Sequence, residues 1–108
     1  RHALVEMHRQ RKAVFIDRMR WSLAAPEGLE IDAFDSEEAT YLVEAPTPSG
    51  PISCSMRLLN TEGPHLLSEV FAALCTTEIP RSPAIWEGSR FCPAPQTPKG
   101  EARRLMLA

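Results

Sequence analysis

Residues 52–59 alternate along the chain. Ile52, Cys54, Met56 and Leu58 fall on one side; Ser53, Ser55, Arg57 and Leu59 fall on the other. Side chains on a β-strand point to opposite faces with period two, so this segment reads as a strand with one apolar face and one more polar face. Just before it, Pro46, Pro48, Gly50 and Pro51 mark a turn. Before that turn, Thr40 to Glu44 (Thr-Tyr-Leu-Val-Glu) has the β-branched and aromatic content of a strand. The pair predicts a β-hairpin with Arg57 on the more polar face of an inner strand.

The segment before the hairpin predicts a helix over about Arg1 to Met19. Leu4, Met7, Arg11, Val14, Phe15 and Arg18 recur at three- and four-residue steps, and no glycine or proline interrupts them. Arg11 shares the apolar stripe. Two readings stand open for it: a guanidinium snorkelling to water from the stripe edge, or one held on the apolar face to meet a carboxylate. Between this helix and the hairpin, Trp21 to Glu38 carries six acids in the twelve residues from Glu27 to Glu38. It reads as an irregular acidic loop. Ile31 and Phe34 alternate with Asp32 and Asp35, which anchors the loop and holds the two aspartates at its surface.

After the hairpin, Asn60 to Pro64 reads as a turn. Leu66 to Leu74 reads as a short helix with Leu67, Val70, Phe71 and Leu74 facing inward. Ala84 to Cys92 reads as a third strand, in which Gly88 could host a β-bulge that brings Glu87 and Arg90 to one face. Thr97 is a fitting N-cap with Pro98 at the first helical position, and Glu101 to Ala108 continues as a helix. This order predicts an α/β (α+β) fold. The 108 residues suit a single domain or part of one. The chain begins with Arg1 and stops inside a helix, so both ends look cut.

Composition removes several classes. Hydrophobic residues at 44% and charged residues at 24% are ordinary for a globular chain and exclude collagen-like and wholly disordered proteins. The apolar runs are too short for a transmembrane helix, so no membrane partner is expected. A net charge of -2 provides no positive field for nucleic acid. Cys54, Cys75 and Cys92 are odd in number and form no Cys-x-x-Cys pair. They read as reduced, mostly buried thiols of a cytoplasmic protein without covalent catalysis. His2, His8 and His65 are too scattered for a metal site.

What remains is a set of charges, Arg11, Asp32, Asp35, Arg57, Glu87 and Arg90, with Phe15, Trp21, Phe71 and Trp86 among them. Arginines clamp carboxylates by paired hydrogen bonds, carboxylates hold an ammonium, and aromatic faces attract a cation. Brought together, these groups suit a small zwitterion with an extra positive charge.

The residues also follow an ordered pattern. It runs Arg11-x-x-x-Phe15-x-x-x-x-x-Trp21, then Glu30-Ile31-Asp32-Ala33-Phe34-Asp35, then Thr40-Tyr41-Leu42-Val43. It continues with Arg57-Leu58-Leu59, Gly63-Pro64, Val70-Phe71 and Ile85-Trp86-Glu87-x-Ser89-Arg90-Phe91. From Arg11 to Cys92 this resembles the acyl-homoserine-lactone (autoinducer) synthases of bacterial quorum sensing. Arg20, Asn60, Glu62, His65 and Leu66 depart from the usual pattern, at turn or substrate-rim positions. Family chains also continue well beyond this length.

The resemblance implies a GNAT-like acyltransferase α/β/α sandwich with a mixed central sheet, here its S-adenosylmethionine-binding N-terminal portion. It implies that the amine of S-adenosylmethionine attacks the thioester of an acyl carrier protein. The substrate carboxylate then displaces methylthioadenosine and closes the lactone. S-adenosylmethionine is thus a substrate, and no cofactor is implied. By the same resemblance, Arg11, Phe15 and Trp21 belong to the S-adenosylmethionine site and its lid. Asp32, Asp35 and Arg57 form an ion-pair network, and Glu87 and Arg90 lie nearest the reacting centre. Glu87 is the candidate base for the amine, directly or through water, with an ion pair to Arg90 or another arginine as its alternative role. Phe15 and Phe71 fit core packing as structural support, and Trp86 is assigned packing alone.

Two rivals remain. An ordinary GNAT acetyltransferase would bind the acyl-CoA pyrophosphate on a glycine-rich loop. The nearest stretch, Gln96 to Ala102, is one residue too long, and Pro98 removes an amide donor. That argues against CoA but leaves room for the single phosphate of a carrier protein's phosphopantetheine arm. The other rival is a truncated, inactive chain that acts as a binding module.

Overall fold

The computed structural model describes residues 2–47, 50–98 and 100. Helix α1 spans His2–Arg11, and strands β1, β2 and β3 span Thr40–Glu44, Cys54–Asn60 and Trp86–Pro93. A four-residue helix, α2, covers Leu66–Glu69. The strands form one sheet in the order β1-β2-β3. Both pairings are antiparallel, so these strands do not contribute the mixed character expected of the sheet. The expected helix end around Thr97 and Glu101–Ala108 lies largely outside the described residues, as does Pro48 of the hairpin turn. No helix among the described residues is long and apolar enough to cross a membrane.

The first helix does not stay α-helical to Met19. From Lys12 to Arg18 it widens into a π-helix, with the Met19 N–H donating to Val14 O at 2.9 Å. A π-turn inserts extra residues per revolution. The neighbours Val14 and Phe15 are both buried, as are Arg11 one turn back and Met7 two turns back; Leu4 and Arg18 are exposed. Val14, Phe15 and Cys92 form the small core, with Leu23 packed against it.

On β2 the polar face is the buried one: Ser55, Arg57 and Leu59 are covered, while Cys54, Met56 and Leu58 are only partly so. The acidic loop brings the carboxylates of Asp32 and Asp35 to Nη1 of the buried Arg57.

Strand β3 carries a bulge, but at a different residue. Ser55 pairs with Cys92 and Arg57 with Ser89, so Arg90 and Phe91 together oppose Met56. Arg90 has φ 55°, the left-handed turn that such a bulge requires. Gly88 serves close approach instead, because a Cβ there would lie 3.0 Å from Met56 Sδ. The register still places Glu87 on the face of Leu59 and Ser89 on that of Arg57.

The helix expected over Leu66–Leu74 is mostly absent. It stops at Glu69, and a 3₁₀ turn follows at Ala72–Leu74. Val70, Phe71 and Leu74 are exposed rather than inward, and a lone short helix has little reason to persist without a surface to bury against. Trp86 is likewise about half exposed, so it contributes little packing.

Candidate functional site

The acidic loop lies against α1 because Glu30 is pinned there by its backbone. Its N–H donates to His8 O at 3.2 Å, and its carbonyl lies 2.8 Å from His8 Nδ1. From that anchor, three carboxylates meet three guanidiniums. Arg11 makes two parallel bonds to Asp35, Nη1–Oδ1 at 2.8 Å and Nη2–Oδ2 at 2.9 Å. Its Nε donates to Glu30 Oε1 at 2.9 Å. Arg57 Nη1 lies 2.6 Å from Asp32 Oδ1 and 3.2 Å from Asp35 Oδ1. Arg90 closes the set, with Nε 3.0 Å from Glu30 Oε1 and Nη2 3.0 Å from Asp32 Oδ2.

The loop also holds itself. The Asp32 N–H donates to Asp35 Oδ2, and the Phe34 N–H to Asp32 Oδ1, each at 2.9 Å. Tyr41 is partnered in register with Arg57, and its hydroxyl donates to Asp35 Oδ1 at 2.6 Å. Burial disfavours the charge on Asp35, but the hydrogen bonds from Arg11, Tyr41 and the Asp32 N–H outweigh it and hold the carboxyl well below the usual range. Burial also opposes the charge on Arg11, and the bonds to Asp35 and Glu30 reverse that and raise its pKa. Tyr41 is raised by burial and by the Asp35 carboxylate.

Arg11 and Arg57 are about 1% exposed, so neither is open to a substrate. Of the two readings open for Arg11, the buried carboxylate partner is the one realised. The members that reach the surface are the Arg90 and Asp32 side chains, 12% and 23% exposed. Arg90 Nη1 has no partner among the described residues and is available to an incoming group. Trp21 stacks on Phe15 with ring centroids 4.7 Å apart and planes 11° from parallel. The Arg90 guanidinium carbon lies 5.9 Å from the Phe15 centroid and 5.8 Å from that of Trp21. Phe15 is buried as the platform, and Trp21 is exposed on top of it.

The structure therefore joins Arg11, Phe15, Trp21, Asp32, Asp35, Arg57 and Arg90 in one cluster. Glu87 and Phe71 stand apart from it. Glu87 makes no ion pair with Arg90; its oxygens accept the Leu66 and Leu67 N–H groups at 2.8 and 2.9 Å. Phe71 is 47% exposed and supports no core. Three participants lay outside the predicted set. Glu30 had a signal, since it stands two residues from Asp32 in the same alternating run. Ser89, whose Oγ accepts from Arg57 Nε at 3.1 Å, and Tyr41 needed the strand register to be found.

Glu30, Asp32 and Asp35 bring carboxylate oxygens within 4.8 Å of one another. Each already faces an arginine, so a metal cation would meet three guanidiniums rather than an open negative cage. Beyond Phe34, whose ring centroid lies 5.8 Å from Arg57 Cζ, a cleft of about 760 Å³ opens between the acidic loop and the β2–α2 turn. Its walls include Phe34, Glu38, Leu59, Glu62 and Pro64.

Comparison with known proteins bears on this cluster. The family described as autoinducer synthase matches residues 1–105. An acyl-homoserine-lactone synthase of Pseudomonas aeruginosa is 39% identical over 90 residues, which cover 82% of this chain and 45% of that protein. A crystal structure of TofI in a ternary complex with an inhibitor and MTA matches with a TM-score of 0.74 at 36% identity, covering 85% of this chain and 50% of that one. BjaI, described as a CoA-dependent acyl-homoserine lactone synthase with SAM and isopentyl-CoA, matches with a TM-score of 0.77 at 32% identity, covering 85% and 44%. The chain spans about half the length of the curated relatives it matches.

Proposed function

The chain belongs to the autoinducer synthase family, and on that premise we propose that the protein makes acyl-homoserine lactones from S-adenosylmethionine and an acyl thioester. The observation that carries this reading is the position of Arg90. Two carboxylates hold it beside the Phe15–Trp21 stack, with Nη1 unoccupied among the described residues.

The chemistry fits that arrangement. S-adenosylmethionine carries a carboxylate, an ammonium and a sulfonium. Arg90 Nη1 offers a donor for its carboxylate, Asp32 an acceptor for its ammonium, and the Trp21 face a surface for the sulfonium. Arg11, Arg57, Glu30 and Asp35 are buried and paired with one another and act as the rigid frame. The freed amine attacks the thioester carbonyl, an amide forms, and the thiol leaves. A carboxylate oxygen then attacks the carbon bound to sulfur, closing the lactone and releasing neutral methylthioadenosine. Holding carboxylate and sulfonium in one bound conformer favours ring closure through proximity.

We assign the acyl donor to a carrier protein, since residues 96–102 lack the glycine-rich spacing that would cradle a CoA pyrophosphate. The relative BjaI is described as CoA-dependent, so the donor is tested directly. The full-length protein is incubated with S-adenosylmethionine and either an acyl carrier protein thioester or the matching acyl-CoA, and products are read by mass spectrometry. Equimolar lactone and methylthioadenosine from the carrier thioester support the reading. Product from CoA alone moves the donor assignment. Neither product from a folded protein supplied with several acyl chains refutes the function.

A further inference from the structure

Glu87 sits on the strand that the family pattern assigns to the reacting centre, and a free carboxylate there invites the role of base. Its surroundings fit a different role. Oε1 accepts the Leu66 N–H at 2.8 Å and Oε2 accepts the Leu67 N–H at 2.9 Å. Among the described residues it has no cationic partner. Both N–H groups open α2 and would otherwise lack an intrahelical partner. Protonating either oxygen would set an O–H against a backbone N–H and break the pair.

The turn that presents those two N–H groups is itself fastened. His65 is 1% exposed, and its Nδ1 lies 2.9 Å from Gly63 O. The His65 N–H donates to Ser68 Oγ at 3.0 Å, and the Ser68 hydroxyl donates back to His65 O at 2.9 Å. These bonds fix the direction of the Leu66 and Leu67 amides before Glu87 reaches them. Across the clamp lies a cleft of about 200 Å³, whose walls come from both sides: His65 and Leu67 from the α2 side, Trp86 and Glu87 from β3, and Ile85 just before that strand.

We propose that Glu87 is a positioning residue, a carboxylate clamp that ties the start of α2 to β3 and sets the width of the cleft between them, and that Ser68 holds the other half of the clamp. The catalytic consequence rests on the lactone-synthase reading; the clamp itself does not. The amine proton is therefore taken up by a group other than Glu87, or by water.

The test uses the full-length protein. Amide hydrogen exchange at Leu66 and Leu67 is measured by NMR in the unaltered protein, Glu87→Gln, Glu87→Ala and Ser68→Ala. Loss of a charge-assisted bond should speed exchange at these two amides by about tenfold or more in Glu87→Ala. In parallel, kcat and KM for S-adenosylmethionine are measured. The clamp predicts that Glu87→Gln and Ser68→Ala lose kcat/KM together, by about tenfold, as expected for displaced rather than deleted chemistry. Ser68→Thr, which keeps a hydroxyl, should restore it. Unchanged exchange at Leu66 and Leu67 in Glu87→Ala overturns the clamp whatever the activity. A fall in kcat of about 10²-fold or more in Glu87→Gln, the range of a lost general base, with Ser68→Ala unaffected, overturns it in favour of the base. If the unaltered protein makes no lactone, the functional reading fails while the exchange result still decides the clamp.

Discussion

Arg11 and Asp35 face each other through two parallel bonds of 2.8 and 2.9 Å, with their side chains 1% and 2% exposed. One comes from the first helix and the other from a loop 24 residues on. The pair is therefore a tertiary strut. Its bidentate geometry is the strong form of the ion pair, and its burial means that neither half is tolerated alone.

Replacing Arg11 by methionine keeps bulk but takes the paired bonds from Asp35, leaving it Tyr41, the Asp32 N–H and a 3.2 Å contact to Arg57, and leaves Glu30 with Arg90 as its cation. Removing one partner of a buried pair costs about 3–5 kcal/mol, so the urea midpoint of Arg11→Met should fall steeply. Arg11→Lys cannot form the fork and should also lose stability, by a smaller amount. A change of less than about 0.5 kcal/mol in either would match an exposed pair instead.

Acid should unfold the protein through Asp35. Its carboxyl is held below the ordinary value near 3.8, so the unfolded state binds protons first as pH falls. Its contribution is complete above the unfolded pKa and is lost as pH drops below about 4 toward the lower folded value. Tyr41 acts at the other end: its folded pKa is raised above the model-peptide value of 10. Its contribution is complete below pH 10 and is lost as pH rises through the folded value. Urea midpoints measured across pH should fall at both ends. Asp35→Asn and Tyr41→Phe should each flatten their own limb.

Cys92 is 0% exposed and packs against Val14 and Phe15, and burial pushes its thiol up to about 12. In the folded protein it should resist a thiol reagent at pH 8 and react only on unfolding, while Cys75 and Cys54, both partly buried, are modified earlier. Peptide mapping after a short exposure to reagent reads the order. Early labelling of Cys92 would mean that the α1–sheet core opens readily.

The hairpin, the acidic loop and the three strands were legible because their signals are local: alternation, turn residues and β-branched runs. Four features were not. The π-turn at Lys12–Arg18 leaves no mark in a three- and four-residue periodicity that it only slightly shifts. The alternation of Ile52, Cys54, Met56 and Leu58 marks a strand but not which face is covered; the face of Arg57 is buried because carboxylates arrive from 22 or more residues away to meet it. The bulge fell at Arg90, where side-chain bonds to Glu30 and Asp32 hold a left-handed backbone that propensity alone gives to glycine. The apolar spacing of Leu66–Leu74 described a helix face, but no surface among the described residues covers it.

For the site, residue types and order grouped Arg11, Asp32, Asp35, Arg57, Glu87 and Arg90, and the structure assembles all of them except Glu87. Which of them meets a substrate was not readable from the sequence. That division, with Arg11 and Arg57 sealed inside and Arg90 and Asp32 at the surface, follows from burial alone.

The central claim is that this buried frame presents Arg90 and Trp21 to S-adenosylmethionine. Calorimetric titration of S-adenosylmethionine into the full-length protein, unaltered and as Trp21→Ala and Arg90→Lys, measures it. Losing a cation–aromatic contact or a charge-assisted hydrogen bond of about 1–2 kcal/mol should weaken Kd by about tenfold or more in each variant. Trp21→Ala should keep its urea midpoint close to that of the unaltered protein, since the indole lies on the surface of its Phe15 platform. Unchanged affinity in both variants, with the ligand still bound, would contradict the account and place the substrate elsewhere on the chain.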